Sequence, residues 1–270
     1  MKVSVRAAGL AAFLAFAAAV FGFQRRGFPR GYGYEYAEDG DDLPPDANEK
    51  TEFVFARLHF HSLYGGGGPF RGAWGADWPR ADRHLSEGIR RLTRLHIRSV
   101  EQVVDIDSDE IFDWPWIYVE HAENWHVNET EGKRLRTYLD RGGFLLFDDI
   151  HGDEQWESFM AGLRMVIPDG KIEDLPDNDP IFHDLYDLND RPQVPGTRFL
   201  WHGLPYPQGA KGNPRWRGIR DDKGRLMVAM FENSDVGDAW EWADSPEYPE
   251  NFTSFAYRIM INYIIYAMTH

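Results

Sequence analysis

From Glu52 to Phe60 (EFVFARLHF) apolar and polar residues alternate, which is the period of a strand with one face buried. Ile97 to Val104 reads as a second short strand. Trp116 to Glu120 (WIYVE) is a third, apolar enough to be covered on both faces. Phe144 to Phe147 (FLLF) is the clearest buried strand in the chain, and Leu226 to Phe231 (LMVAMF) is a late one. Between these runs the period lengthens. Leu85, Ile89 and Leu92 recur at helical spacing, with Asp77 as the expected N-cap and Pro79 in the first turn. Asn128 and Glu131 have capping-box spacing and open a helix whose Leu135, Tyr138 and Leu139 face inward, ending at Gly142-Gly143. Trp156, Phe159, Met160 and Leu163 mark another helix. Phe252 to His270 is apolar almost all round and predicts a buried terminal helix.

Strands alternating with helices imply βαβ units, so the expected fold is α/β: a flavodoxin-like three-layer sandwich with a mostly parallel sheet. The stretch from Ile167 to Gly224 fits neither period. It is rich in Pro, Gly and Asp, and long irregular segments in compact domains are often functional. The chain divides into residues 1–23, 24–50 and 51–270. In the first, Lys2 and Arg6 precede an apolar run from Ala7 to Phe23, which reads as an export signal or an N-terminal anchor. The second is interrupted by Gly and Pro and reads as a flexible linker. The third is a single domain. An exported, periplasmic or otherwise extracytoplasmic location is the resulting expectation, with membrane attachment through residues 7–23 if the leader is retained.

Charge and composition narrow the chemistry. With 29 Lys and Arg against 44 Asp and Glu, the net charge is −15, which removes nucleic acid from the expected partners. There is no cysteine, so disulfides, zinc–thiolate sites, iron–sulfur clusters and a thiol nucleophile are all excluded. No cofactor motif is present: the loop Gly65 to Asp82 lacks the lysine-serine/threonine ending of a P-loop and the GxGxxG spacing at a helix start. Its four consecutive glycines, Gly65 to Gly68, read as a flexible lid.

In open α/β sheets ligands bind beyond the carboxyl ends of the strands. The residues found there are His59 and His61 after the first strand, and His121 with Glu123 after the third. Asp148, Asp149, His151 and Asp153 follow FLLF; Glu232, Asn233 and Asp235 follow LMVAMF. If the first, third and fourth strands are neighbours, imidazoles and carboxylates converge. A metal site would draw on His59, His61, His121 and His151 with the carboxylates. In the competing reading, Asp148 and Asp149 cap the following helix. No HExxH or EF-hand spacing favours the metal, and the turn Phe147 to Gly152 holds no serine or cysteine for a nucleophile elbow, although an aspartate nucleophile is conceivable. Ten tryptophans, including Trp201, Trp216, Trp240 and Trp242, supply either an aromatic groove for sugars or core packing.

Six stretches occur in one order: FVFARLHF (53–60), GAWGADWPRADRHL (72–85), GGFLLFDD (142–149), DPIFH (179–183), QVPG (193–196) and ENSDVGDAWEW (232–242). Together they resemble the bacterial domain of unknown function family 4159. The resemblance implies a fold like that of class I glutamine amidotransferase-like domains, in which a catalytic cysteine occupies the tight turn after a buried strand. The matching position here is around Asp148 and Asp149, so cysteine-dependent amidotransferase chemistry is excluded. Members of the family are often exported or membrane-anchored, and some are encoded near MoxR-type ATPases and von Willebrand factor A-like proteins. That implies a non-catalytic binding or adaptor module of the cell envelope, taking a protein partner or a small polar ligand through Trp74, Asp77, Asp148, Asp149, Asn233 and Asp235. Asp148 and Asp149 are then expected within side-chain reach of His59 or His61 and of the Gly72 to Asp77 loop. The alternatives are a metal-dependent or acid/base hydrolase using Asp148, Asp149 and the nearby histidines, and a carbohydrate-binding module.

Overall fold

The computed structural model describes residues 43–63, 73–202 and 213–270. The expected leader, most of the linker and the Gly65–Gly68 lid lie outside the described residues. Seven strands form one sheet: β1 (Ala56–His59), β2 (Gln102–Asp105), β3 (Trp116–Glu120), β4 (Phe144–Ile150), β5 (Ile172–Asp174), β6 (Arg215–Arg220) and β7 (Leu226–Glu232). The helices are α1 (Arg80–Leu92), α2 (Glu129–Asp140), α3 (Gly152–Val166), α4 (Thr197–His202), α5 (Val236–Glu241) and α6 (Glu250–Thr269). The strand order is β2-β1-β3-β4-β7-β6-β5. The five strands from β2 to β7 run parallel, while β6 is antiparallel to both β7 and β5. This is an α/β fold of the flavodoxin-like kind, with β1, β3 and β4 adjacent, the condition under which the strand-end residues converge.

Side-chain alternation on the central strands feeds two apolar layers. Phe55, Tyr118, Phe144, Leu146 and Phe231 face α1, α5 and α6. Leu58, Val119, Leu145, Phe147 and Met230 face α2 and α3. Strand β4 is flanked by β3, with Trp116 opposite Phe144, and by β7, with Leu145 opposite Val228. All seven of its residues are buried. The capping box forms as expected: Asn128 Oδ1 accepts from Thr130 N and Glu131 N, and Glu131 Oε2 accepts from Asn128 N at 2.8 Å.

Three local expectations are corrected. Asp77 is not the N-cap of α1; Pro79 is, and Asp77 contributes its carbonyl, which accepts from Ala81 N. The linker does not run free to Lys50. Asp46 Oδ2 accepts from Ser99 N and Oγ (2.9 and 2.7 Å) and pairs with Arg90, while Ala47 is buried. The irregular stretch 167–224 contains β5, β6 and α4. The alternation in RWRGIR is a strand whose outward arginines pair with acids: Arg217 reaches Glu232 and Asp174, each at 2.9 Å. A buried Asn262 on α6 fastens the rest, accepting from Leu185 N and Tyr186 N and donating to Tyr186 O. Among the described residues no helix is long and apolar enough to cross a membrane; α6, apolar as read, is packed into the core.

Leu146→Asp would place a carboxylate between α6 and the middle of the sheet without a partner. The expected loss is several kcal/mol, roughly the whole stability of a domain. Urea denaturation followed by tryptophan fluorescence checks it, and a soluble, cooperatively unfolding variant would refute the central placement of β4.

Candidate functional site

Arg57, in the middle of β1, is fully buried. A buried guanidinium must be paired on most of its donors. Its Nε and Nη2 donate to Asp82 of α1 (Nε to Oδ2 at 2.9 Å, Nη2 to Oδ1 at 2.5 Å). Its Nη1 donates to the carbonyls of Trp74 and Ala76 (3.0 and 3.1 Å) and lies 3.6 Å from Glu120 Oε2. One face packs on the Tyr118 ring, 4.9 Å from its centroid. In a strand of alternating residues Arg57 reads as a solvent-facing position. In the fold it fastens the β1–α1 loop to the end of β3.

Past that anchor the carboxyl ends of β3, β4 and β7 converge. Asp148 caps a helix, but not the one immediately after it: Oδ2 accepts from Val236 N and Gly237 N of α5 (3.0 and 2.9 Å) and from the Tyr118 hydroxyl (2.9 Å). The next helix, α3, has His151 at its N-cap position with no side-chain cap. Asp149 lies between two imidazoles, Oδ1 2.5 Å from His151 Nε2 and Oδ2 2.8 Å from His121 Nε2, and His121 Nδ1 reaches Glu123 at 2.9 Å. Asn233 Oδ1 accepts from Gly152 N. Asp235 Oδ1 caps α5 through Asp238 N at 2.8 Å, and Asp238 Oδ2 accepts from Thr197 N and Oγ1. Gly237 lies at the centre: a Cβ there would come within 2.7 Å of Asp77 Oδ2, 2.9 Å of Tyr118 Oη and 3.1 Å of Glu120 Oε2.

Asp77, His121, Asp149 and Asn233 are the non-glycine residues of the described chain with positive φ, from 49° to 60°. Asp77 precedes α1, His121 follows β3, Asp149 is the penultimate residue of β4 and Asn233 follows β7. Left-handed backbone is unfavourable for residues with a Cβ, and such strain concentrates where side chains must be aimed.

Asp77, Asp148, Asp149, Asn233 and Asp235 are therefore brought together with His121 and His151, as the strand-end argument expected. His59 and His61 point elsewhere. His59 pairs with Asp105 (3.0 Å) and meets Trp74 edge-on; His61 pairs with Glu131 (2.9 Å) and Asp107 (3.7 Å). Trp74 serves the site through its carbonyl. The tryptophans divide as well: Trp240 and Trp216 are buried in the core, and Trp201 and Trp242 form an edge-to-face pair. Arg57, Tyr118, Glu120, Asp238 and Glu241 are not legible as site residues in the sequence. An acid closing the doubly buried strand WIYVE was the available signal for Glu120.

A family model described as a domain of unknown function, DUF4159, matches residues 54–268. The chain belongs to the DUF4159 family. No curated protein matches it.

The edge of this DUF4159 domain gathers more carboxyl groups than its cationic side chains compensate. Burial pushes the Asp77, Glu120 and Asp235 carboxyls well above the usual range, reinforced by Asp238 for Asp77 and Asp235 and by Asp148 for Glu120. Asp148 is pushed up to about 7 by burial and by Asp149, and Glu241 to about 8 by burial and Asp238. Burial acts on Asp149 in the same direction, but His121 and His151 hold it well below its ordinary value. Burial lowers His121, yet Asp149 and Glu123 prevail and raise it well above its ordinary value. Glu120 Oε1 and Asp148 Oδ1 are buried without a hydrogen-bond partner.

This arrangement sets two expected outcomes. Truncating Arg57→Ala leaves Asp82 and Glu120 buried without their cation, and is expected to cost about 3–5 kcal/mol in urea denaturation. A loss within about 0.5 kcal/mol, as for a surface position, would contradict its role as anchor. The raised carboxyls of Asp148 and Glu241 contribute stability that is complete below their unfolded values and disappears as pH rises through about 7 and about 8. The raised His121 acts in the same direction, and the contribution of the depressed Asp149 is lost only in strong acid. The thermal midpoint at low ionic strength should thus fall between about pH 5 and about pH 8. A rising midpoint across that interval would show that these carboxyls are ionised in the folded state.

Proposed function

We propose that this is an exported, amidotransferase-like domain of the bacterial cell envelope that works by binding rather than by acyl transfer. Its ligand presents positive charge to the crevice at the carboxyl edge of the sheet. The carrying observation is the convergence of Asp77, Glu120 and Asp235, whose nearest ligand atoms lie within 4.8 Å of one another, with no ion pair closer than the 3.6 Å approach of Arg57 to Glu120 among the described residues. The amidotransferase-like likeness is supported by Asp148 and Asp149, which end a buried central strand where that superfamily carries its cysteine. The leader-like residues 1–23 support export, and a basic segment of an envelope protein or a small cation would suit the charge.

An acid/base hydrolase is the second reading. In its favour, Asp148 and Asp149 are adjacent carboxyls pushed in opposite directions, the usual mark of an acid and a base. Against it, both Asp149 oxygens are held by imidazoles, and Asp148 Oδ2 takes two amides and shares the Tyr118 hydroxyl with Glu120. Neither presents an open pair of groups to a substrate. A sugar-binding groove has less support, because Trp216 and Trp240 are spent on packing.

The binding reading is tested by thermal shift on the purified chain at low ionic strength, with divalent metals, polyamines, a lysine-rich peptide and nucleotides. At least one cationic class should raise the midpoint, the rise should shrink with salt, and nucleotides should have no effect. Indifference to every cation would overturn the reading.

A further inference from the structure

Within the cation-binding crevice one set of carboxylates has the spacing of a metal site, an assignment that rests on the binding function proposed for that crevice. We infer that Asp77, Glu120 and Asp235 form a site for one hard divalent cation of the Mg²⁺, Mn²⁺ or Ca²⁺ class.

Each of the three carboxylates offers an oxygen within 4.8 Å of the other two. Opposite ligands of such a cation stand at about twice the bond length, roughly 4–5 Å for oxygen ligands at about 2.0–2.6 Å, so a single ion can bridge the set. The donors are all oxygen, which selects hard cations over zinc or copper. An independent observation points the same way. Glu120 is fully buried, its Oε2 shares the one Tyr118 hydroxyl proton with Asp148 Oδ2, and its Oε1 has no hydrogen-bond partner. A buried, unsatisfied carboxylate oxygen is costly, and a cation would satisfy it. The backbone makes room for the set. Gly237 lies 2.7 and 3.1 Å from Asp77 and Glu120 oxygens at its would-be Cβ, and Gly196 lies 2.5 Å from Asp235 Oδ2 by the same measure.

Neighbouring sets are already occupied internally. In Asp149, His151 and Asp235, the aspartate and histidine bind each other, and Asp149 also holds His121. In Asp77, Asp238 and Glu241, Asp238 is committed to the amide and hydroxyl of Thr197. In His61, Asp107 and Glu131, the glutamate closes the capping box of α2. Asp235 spends Oδ1 on Asp238 N and Glu120 spends Oε2 on Tyr118, but no cationic side chain comes closer to Asp77, Glu120 or Asp235 than the 3.6 Å approach of Arg57 to Glu120 among the described residues. The three ligands come from the loop before α1, the end of β3 and the turn after β7, so an ion there would tie together segments that meet only in the folded chain.

The test uses the full chain, stripped with chelator and titrated with Mn²⁺, with free metal followed by electron paramagnetic resonance. One Mn²⁺ should bind per chain and be displaced by Mg²⁺ or Ca²⁺. Asp235→Asn keeps the acceptor that caps α5 and removes the charge, so it should fold, as near-ultraviolet circular dichroism would report. It should weaken Mn²⁺ binding by at least about tenfold, the scale that loss of even an outer-shell partner carries. Glu120→Gln should do the same, and Asp169→Asn, at an exposed carboxylate paired with Arg136, should not. Absence of saturable Mn²⁺ binding, or binding unchanged in folded Asp235→Asn, overturns the inference. If Mn²⁺ fails while a polyamine or basic peptide still stabilises the protein, the metal site falls and the cationic crevice stands. If no cation of any kind acts, both fall.

Discussion

A single buried guanidinium organises the charged half of this molecule. Arg57 projects from a parallel strand into the interior, fully buried, and its donors must find acceptors inside the protein. It finds them on three separate elements: Asp82 on α1, the carbonyls of Trp74 and Ala76, and more distantly Glu120 on β3. The loop between β1 and α1 is thereby held against the strand ends, and Asp77 with it. Without that cation Asp82 and Glu120 would be buried charges with no counterpart, and the crevice would lose one wall.

The rest of the edge reflects the same shortage of positive charge. Carboxylates can be buried if amides, hydroxyls or imidazoles solvate them, and each class is used in turn. Asp148 takes the two amides at the start of α5 and a phenol; Asp149 takes two imidazoles; Asp238 takes an amide and a hydroxyl. These are clamps, and they explain why polar residues occupy positions where packing alone would place apolar ones. Asp235 accepts one amide and Glu120 meets the Tyr118 hydroxyl, but no cationic side chain comes closer to Asp77, Glu120 or Asp235 than Arg57, 3.6 Å from Glu120, among the described residues. Asp148, Asp149 and Asp238 form the structural part of the edge, and Asp77, Glu120 and Asp235 its proposed binding part.

Most of the fold was legible along the chain. WIYVE and FLLF are buried on both faces because they lie in the middle of a parallel sheet, and uniform apolarity over a strand's length has that meaning. The capping box at Asn128 and the apolar terminal helix were equally plain, because their signals are contained within one element. Strand β6 was not legible. Its arginines look like solvent-facing charge, and only the fold supplies Asp174 and Glu232 to receive them. The N-cap expected of Asp77 failed for a related reason: the residue type suits a cap, but its carboxylate faces the crevice.

The candidate site divides along the same line. Which residues end the strands is a matter of hydrophobic period, so Asp148, Asp149, Asn233, Asp235, His121 and His151 could be named from the sequence alone. Which of them meet is a matter of partners far apart in the chain. Asp148 caps a helix that begins 88 residues later, and Arg57 pairs with an aspartate 25 residues on. His59 and His61, as well placed in sequence as any, turn to Asp105 and Glu131 because those carboxylates are nearer in space. Periodicity is set by backbone geometry within one element, and it determined the α/β fold and the polar edge. Pairing of buried charges is set by what the sheet order brings side by side, and the tertiary structure alone decided it.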